Sequence, residues 1–168
     1  AYVVGGSIRD CLLGKKPKDF DVATSAKPEQ VKKAFKRCRL IGRRFRLAHV
    51  LIKGDMIEVA TFRGAKKSWS KRFHTNDKGV VLRDNQFGRL DEDAWRRDFS
   101  VNALYYDPVA NRVVDYVAGL EAIANKEVKV LGDVRTRLRE DPVRILRALR
   151  LHAQFDLTLD SSLSEGIK

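Results

Sequence analysis

Apolar and polar positions change period several times along the chain, and each change marks an element. Residues 2–4 of "AYVVGGSIRD" form an apolar run that predicts a short buried strand, and Gly5-Gly6 predicts a tight turn. Ser7 is then placed to cap a short helix over "IRDCLL", with Ile8 and Leu12 on one face. Gly14 ends that helix, and Pro17 prevents its return. "DFDVAT" reads as a strand. "KPEQVKKAFKR" reads as a helix with Pro28 in its first turn and Val31, Ala34 and Phe35 on one face. "RFRLAHVLI" and "MIEVATF" predict two further strands. Residues 64–80 are polar, basic and glycine-flanked with no sustained period, which predicts a mobile loop.

Beyond the loop, "DEDAWRRDFSVN" predicts a helix with acids in its first turn. "ALYYD" and "RVVDYV" flank a turn at Pro108–Asn111 and read as a hairpin. A short helix near 119–125 and a strand near 127–131 follow. From 140 onward "EDPVRILRALRLHAQF" is strongly helical, with Asp141 as cap, Pro142 at the first helical position, and Ile145, Leu146 and Leu149 as the packing face. Strands and helices alternate with a hairpin between them. The expected class is therefore α+β, a mixed, largely antiparallel sheet flanked by helices, rather than a doubly wound parallel one.

Charge changes this picture. The chain has 168 residues, 43% of them apolar, and a formal net charge of +12, so it is long enough for a core and points to a polyanionic partner. Gln30 to Gly54 holds nine Lys or Arg and no acid, and residues 63–83 add seven against one acid. Arg43, Arg44, Arg46, Lys71 and Arg72 are the expected contacts to a nucleic-acid backbone, with Trp69 and Phe73 available for base stacking. Cys11 and Cys38 form no zinc or disulfide pattern, so reduced thiols and a cytoplasmic location are expected. No apolar run approaches 18 residues, and no membrane span is expected. The opening "AYVVGG" and the closing "SEGIK" read as cuts within a longer protein.

Several short motifs carry chemistry. In "VVGGSIRD" the backbone N–H groups at Gly5 and Gly6 and a following helix start form a possible anion site within reach of Arg9; an ordinary strand–helix turn has the same pattern. In "KDFDV" strand alternation sends Asp19 and Asp21 to one side and Phe20 to the core. Two carboxylates on one side repel unless a cation lies between them, and hard oxygen donors suit Mg²⁺ with its phosphates; solvated edge acids are the alternative. Glu58 is the third acid, opposite Ile57 and Val59 on its strand. Asp98 and Asn102 fall on one helical face, where they can bond a ribose, next to Arg96 and Arg97. Arg144, Arg147 and Arg150 form a stripe with Glu140 four residues before Arg144. There Asp141 and Arg144 can offer a base edge an acceptor and donors, and a solvated basic stripe is the alternative.

These motifs, in this order, resemble the bacterial poly(A) polymerase and class II tRNA nucleotidyltransferase family of the DNA polymerase β superfamily. The matches are Gly5-Gly6-Ser7-x-Arg9-Asp10, Leu13-Gly14, Asp19-x-Asp21, Glu58, Arg96-Arg97-Asp98-Phe99 with Asn102, and Glu140-Asp141-Pro142-x-Arg144-x-x-Arg147. The resemblance implies a nucleotidyltransferase head over 1–138 and the start of a helical neck over 139–168. It implies catalytic Mg²⁺, two ions, on Asp19 and Asp21, with Glu58 and Asp98 as further active-site acids. It implies a nucleotide site of Gly5, Gly6, Ser7, Arg9, Arg97, Asn102, Asp141, Arg144, Arg147 and Arg150. "GRRFRLAHV", "LRDNQFG" and "NALYYD" are similar to the poly(A) branch, which implies template-independent transfer of AMP from ATP to RNA 3′ ends. CCA addition to tRNA is the alternative. A non-catalytic RNA-binding module on the same scaffold is a further one, although such a module would be expected to lose an acid of the Asp-x-Asp pair.

Overall fold

A computed structural model describes residues 1–42, 46–64, 74–75, 81–83 and 86–168. The strands are β1 Tyr2–Val4, β2 Asp21–Thr24, β3 Cys38–Ile41, β4 Leu47–Ile52, β5 Asp55–Thr61, β6 His74–Thr75, β7 Val81–Arg83, β8 Leu104–Asp107, β9 Arg112–Asp115, β10 Glu127–Val128 and β11 Thr158–Leu159. The helices are α1 Gly6–Leu12, α2 Pro28–Ala34, α3 Leu90–Arg96, α4 Gly119–Ala124, α5 Val134–Glu140, α6 Val143–Phe155 and α7 Ser161–Ile167, with a 3-10 turn at Ser100–Asn102. The loop expected over 64–80 falls mostly outside the described residues, as do Trp69 and Phe73.

A seven-stranded sheet in the order β3-β4-β5-β2-β1-β8-β9 forms the frame. Its one parallel pair is β2 with β5, and the other neighbours are antiparallel. The fold is thus α+β with a mixed, largely antiparallel sheet. The two sheet faces have different jobs. Val31 of α2 packs with Ala48 and Val50 of β4, and Val59 of β5 joins that cluster. On the other face Val4, Ala23 and Tyr105 pack with Ala94 of α3, Ala103 and Leu131. Asp21 and Glu58 alternate onto this second face, because each lies two residues before a small alanine, Ala23 or Ala60, in the same register.

A third cluster closes the helical end. Phe99, Val101, Val128 and Val130 pack with Leu138, Ala148, Leu151, Leu157 and Leu163. It crosses residue 138, so the last thirty residues share a core with what precedes them. A parallel bridge of β10 to β11 adds a backbone link.

Local chemistry sets the helix starts. Gln30 returns its side chain to the Lys27 N–H (2.8 Å), and Glu92 to that of Arg89 (2.8 Å). Asp133 caps α5 by accepting from the Thr136 N–H (2.8 Å), and Asp160 caps α7 by accepting from that of Leu163 (3.0 Å).

Several expectations need correction. Gly5, not Ser7, precedes α1; the Ser7 hydroxyl is buried and donates to the Val4 carbonyl (3.4 Å). Leu12 and Phe35 are exposed, since α1 is a helix of only two turns and α2 stops at Ala34 before Phe35 can reach the sheet. Phe20 is 48% exposed rather than in the core, because β2 begins only at Asp21 and strand alternation does not extend back to it. The strand expected over 127–131 is regular only at Glu127–Val128. Asp141 follows α5 and does not cap α6 through its side chain, and Pro142 precedes the first helical residue. The packing face of α6 is Ile145, Ala148 and Leu151, whereas Leu146 and Leu149 are exposed.

Candidate active site

One cleft of about 930 Å³ gathers most of the residues that the sequence singles out. Gly5, Gly6, Arg9, Asp19, Asp21, Glu58, Arg97, Asp98, Asn102, Asp141, Arg144, Arg147 and Arg150 all line it. Ser7 does not, since its hydroxyl is turned into the core. Arg46 pairs with Glu29 (3.2 Å) away from the cleft, and Arg43, Arg44, Lys71 and Arg72 lie outside the described residues.

Asp21 and Glu58 sit on the sheet floor; Asp19 lines the same cleft from two residues before β2 begins, so it is not brought there by strand alternation. Register sets Val4, Asp21, Glu58 and His49 side by side across β1, β2, β5 and β4. His49 Nε2 lies 3.4 Å from Glu58 Oε2 at the end of that row. Partial burial raises the Asp21 carboxyl pKa, and the charges of Glu58 and Asp19 raise it further, with Arg97 acting the other way. Three carboxylates therefore repel one another at the cleft floor. That repulsion, with hard oxygen donors open to the cleft, fits a divalent cation. Among the described residues no three His, Cys, Asp or Glu side chains converge as a metal cage. Mg²⁺ asks for none, since one or two carboxylates plus substrate phosphates and water suffice.

The Gly-Gly turn lies at one wall. Gly5 has φ +79°, a conformation that side chains rarely adopt, and its N–H donates to the Leu104 carbonyl (3.2 Å). Arg97 Nη1 is beside this turn, 3.5 Å from where a Cβ on Gly5 would stand. The rest of its guanidinium is fixed from behind. Nε donates to the Tyr105 hydroxyl (2.9 Å) and Nη2 to Asp93 Oδ2 (3.2 Å). Tyr105 in turn donates to the same Asp93 oxygen (2.6 Å), and Asp93 Oδ1 accepts from the Arg63 N–H (2.9 Å). Burial pushes the Tyr105 hydroxyl well above the usual phenol range, with Asp93 adding to that and Arg97 opposing it. Burial alone would depress Arg97, but Tyr105 and Asp93 more than offset it. The guanidinium is therefore a fixed, permanently charged receptor.

Arg9 stands beside the turn as expected, its Nη2 3.4 Å from where a Cβ on Gly6 would lie, and its guanidinium is held by neighbours. Nε and Nη2 donate to Asp10 Oδ1, Nη1 donates to Asn102 Oδ1 (2.5 Å), and the plane lies 4.4 Å over the Phe155 ring. It is 8% exposed and acts as a strut between α1, the 3-10 turn and α6.

Asp98 and Asn102 do meet, though not on a helix. Helix α3 ends at Arg96, the backbone extends through Arg97 and Phe99, and the 3-10 turn brings Asn102 Nδ2 to Asp98 Oδ1 (3.3 Å). Arg147 of α6 reaches Asp98 Oδ2 (3.2 Å). Glu140 accepts from Arg137 (3.1 Å) and lies 3.6 Å from Arg144, as its spacing predicts.

Asp93, Tyr105 and Arg137 are the members that sequence reasoning missed. Arg137 donates to the carbonyls of Arg96 (2.7 Å) and Arg97 (2.6 Å), so α5 grips the segment that carries Arg97 and Asp98. The Asp93–Arg97 spacing of four was the available signal, but Asp93 stands among acids that read as ordinary first-turn charges.

The profile of the poly(A) polymerase head domain matches residues 1–129. The chain belongs to the poly(A) polymerase head-domain family. Members of similar sequence include poly(A) polymerase I of Salmonella typhi, 50% identical over 99% of this chain and 37% of its own length. A CCA-adding enzyme of Enterococcus faecalis is 38% identical over 99% of this chain and 39% of its own length. The chain thus spans well under half of the curated relatives it matches. Among solved structures, the Bacillus stearothermophilus CCA-adding enzyme in complex with CTP superposes with a TM-score of 0.81 at 33% identity, over 98% of this chain and 38% of that one. A tRNA nucleotidyltransferase complexed with a primer tRNA and an incoming ATP analog gives 0.71 at 29% identity, over 99% of this chain and 45% of that one.

Proposed function

We propose that this chain is the catalytic head, 1–138, and the start of the neck, 139–168, of a cytoplasmic enzyme that transfers AMP from ATP to RNA 3′ ends. The observation that carries this reading is the opposition, across one cleft, of the Asp19, Asp21 and Glu58 carboxylates and the Arg97 guanidinium fixed beside the Gly-Gly turn. The 50% identity to a poly(A) polymerase I, against 38% to a CCA-adding enzyme, favours adenylate addition over CCA addition. The nucleotide and primer tRNA in related structures support the assignment of nucleoside triphosphate and RNA as partners.

In the proposed reaction the RNA 3′-oxygen forms a bond to the α-phosphorus of ATP, the bond to the β-phosphate oxygen breaks, and pyrophosphate leaves. Asp19 and Asp21 are the residues that would hold Mg²⁺, with Glu58 beside them in register with Asp21. When bound, two such ions supply activation of the hydroxyl and stabilisation of the leaving oxygens. Arg97 and the Gly6 backbone hold the triphosphate in line, the Gly5 N–H being taken by the Leu104 carbonyl, and this is positioning rather than covalent chemistry. Asp98, held by Asn102 and Arg147, accepts a ribose hydroxyl. Asp141 and Arg144 face the base edge, and Arg147 and Arg150 face phosphate. Arg9 acts by fixing Asn102. Asp19→Ala and Asp21→Ala in the full-length protein test the assignment. Loss of AMP incorporation into RNA is expected from each, and near-normal incorporation by either overturns the metal assignment.

A further inference from the structure

One stretch of the cleft wall has no role in the reaction as derived. Trp95 of α3 is 58% exposed and lines the cleft, as do Arg63 and Arg96. The wall is stiffly built at this point. Asp93 Oδ1 accepts the Arg63 N–H (2.9 Å), Arg96 Nη1 donates to the Gly64 carbonyl (2.7 Å), and Arg137 holds the Arg96 carbonyl (2.7 Å). Gly88 lies so close to Gly64 that a Cβ there would fall 2.1 Å from the Gly64 Cα, so the end of β5 and the approach to α3 are locked together. Glu92, beside Asp93 on this wall, accepts from the Arg89 N–H (2.8 Å) at the start of α3.

Burial together with the Arg63 and Arg137 charges pushes Arg96 down to about 10, with Glu140 acting against them. An indole face left open in a cleft lined by guanidiniums is the arrangement that binds single-stranded nucleic acid, the base on the ring and the phosphate on the arginines. The inner side of α3 is made by the buried Asp93 and Ala94, and Trp95 is on the exposed side.

We propose that Trp95, with Arg63 and Arg96, is a stacking subsite for one nucleotide of the RNA primer strand. This rests on the proposed reaction, which requires an RNA 3′ end to enter the cleft. The subsite grips any base by its π-face, which suits a primer read without sequence preference.

The test uses the full-length protein in a Trp69→Phe background and follows the part of the tryptophan emission that Trp95→Phe removes, on titration with a short oligoadenylate or with ATP, both without catalysis. Oligoadenylate is expected to quench the emission and ATP is not. Trp95→Ala is expected to lose the quench and weaken oligoadenylate binding by about 5- to 150-fold, the range for one base–aromatic stack. Trp95→Phe is expected to recover most of the affinity, and neither variant should change the KM for ATP. A quench by ATP alone, or oligoadenylate affinity unchanged in Trp95→Ala, overturns the subsite. Asp21→Asn separates the two readings. If it abolishes AMP incorporation while Trp95→Ala binds RNA normally, the subsite is wrong and the reaction stands. If oligoadenylate quenches Trp95 but the full-length protein incorporates no AMP, the reaction is wrong and the RNA contact stands.

Discussion

Replacing Asp93 by Asn tests whether Arg97 is held by its neighbours or merely lies near them. The substitution keeps the shape and leaves a carbonyl oxygen to accept the Arg63 N–H. It changes one oxygen, the Oδ2 that takes both the Tyr105 hydroxyl (2.6 Å) and Arg97 Nη2 (3.2 Å). An amide nitrogen there points a donor at two donors. The hydroxyl can turn to accept from it, but its own proton then has no acceptor, and Arg97 keeps a charge with its carboxylate partner gone. The Asp93 and Arg97 side chains are 11% and 24% exposed, so water offers little compensation. A charge-assisted bond lost at such a site costs about 1.5–3 kcal/mol, and stranding the remaining charge raises the total to ~2–4 kcal/mol. In urea that moves the midpoint of this domain's transition down by about 1–2 M. The KM for ATP is expected to rise by about tenfold in the same variant, because the guanidinium loses its fixed direction. Tyr105→Phe removes a neutral donor instead and is expected to cost ~1 kcal/mol, with the double substitution costing less than the sum. A stability change for Asp93→Asn below about 0.5 kcal/mol would refute the clamp.

Two other outcomes follow from the cleft floor and the turn. Asp21 has a raised pKa, so its favourable contribution is present below the unfolded carboxylate pKa and is lost as pH rises through the folded one. Asp21→Asn is therefore expected to melt higher than the natural chain at neutral pH without Mg²⁺, to lose that advantage on acidification, and to gain nothing from Mg²⁺; a lower melting point at neutral pH would contradict the crowding of carboxylates. Gly5→Ala forces a side chain into φ +79° and is expected to cost about 1–3 kcal/mol in thermal unfolding, whereas Gly6→Ala meets the Arg9 guanidinium, nearest at Nη2 (3.4 Å), and should cost less.

The parts of the fold that were legible in the sequence are those with strong local periodicity. β4 alternates between buried and half-buried positions and pairs with β5 in unbroken register, and the hairpin of β8 and β9 has its turn residues in place. α5 and α7 were missed because their stretches are short and mostly polar, and β3 because the four residues Cys38–Ile41 are too few to show a period; the apolar partners come only by packing, as where Leu138 and Leu163 meet in a core with Phe99 and Val128. Strand alternation placed Asp21 and Glu58 correctly but failed at Phe20, one residue outside β2. Helical spacing paired Asp98 with Asn102 for the wrong reason, since the contact is made by a 3-10 turn beyond the end of α3. On α6 both sides of the helix carry apolar residues, and only tertiary packing selects Ala148 and Leu151 over Leu146 and Leu149. The cleft-lining residues were legible because their chemistry is unusual at their positions. The residues behind them, Asp93, Tyr105 and Arg137, were not, because each looks ordinary until its partners arrive from elsewhere in the chain.

The most direct test of the account is primer extension by the full-length protein with each nucleoside triphosphate supplied separately. Tails that keep growing with ATP alone, and little or no extension with CTP, are the predicted result. Extension that stops after C, C and A when CTP and ATP are supplied together would contradict it, as would an RNA primer left unextended by every nucleotide.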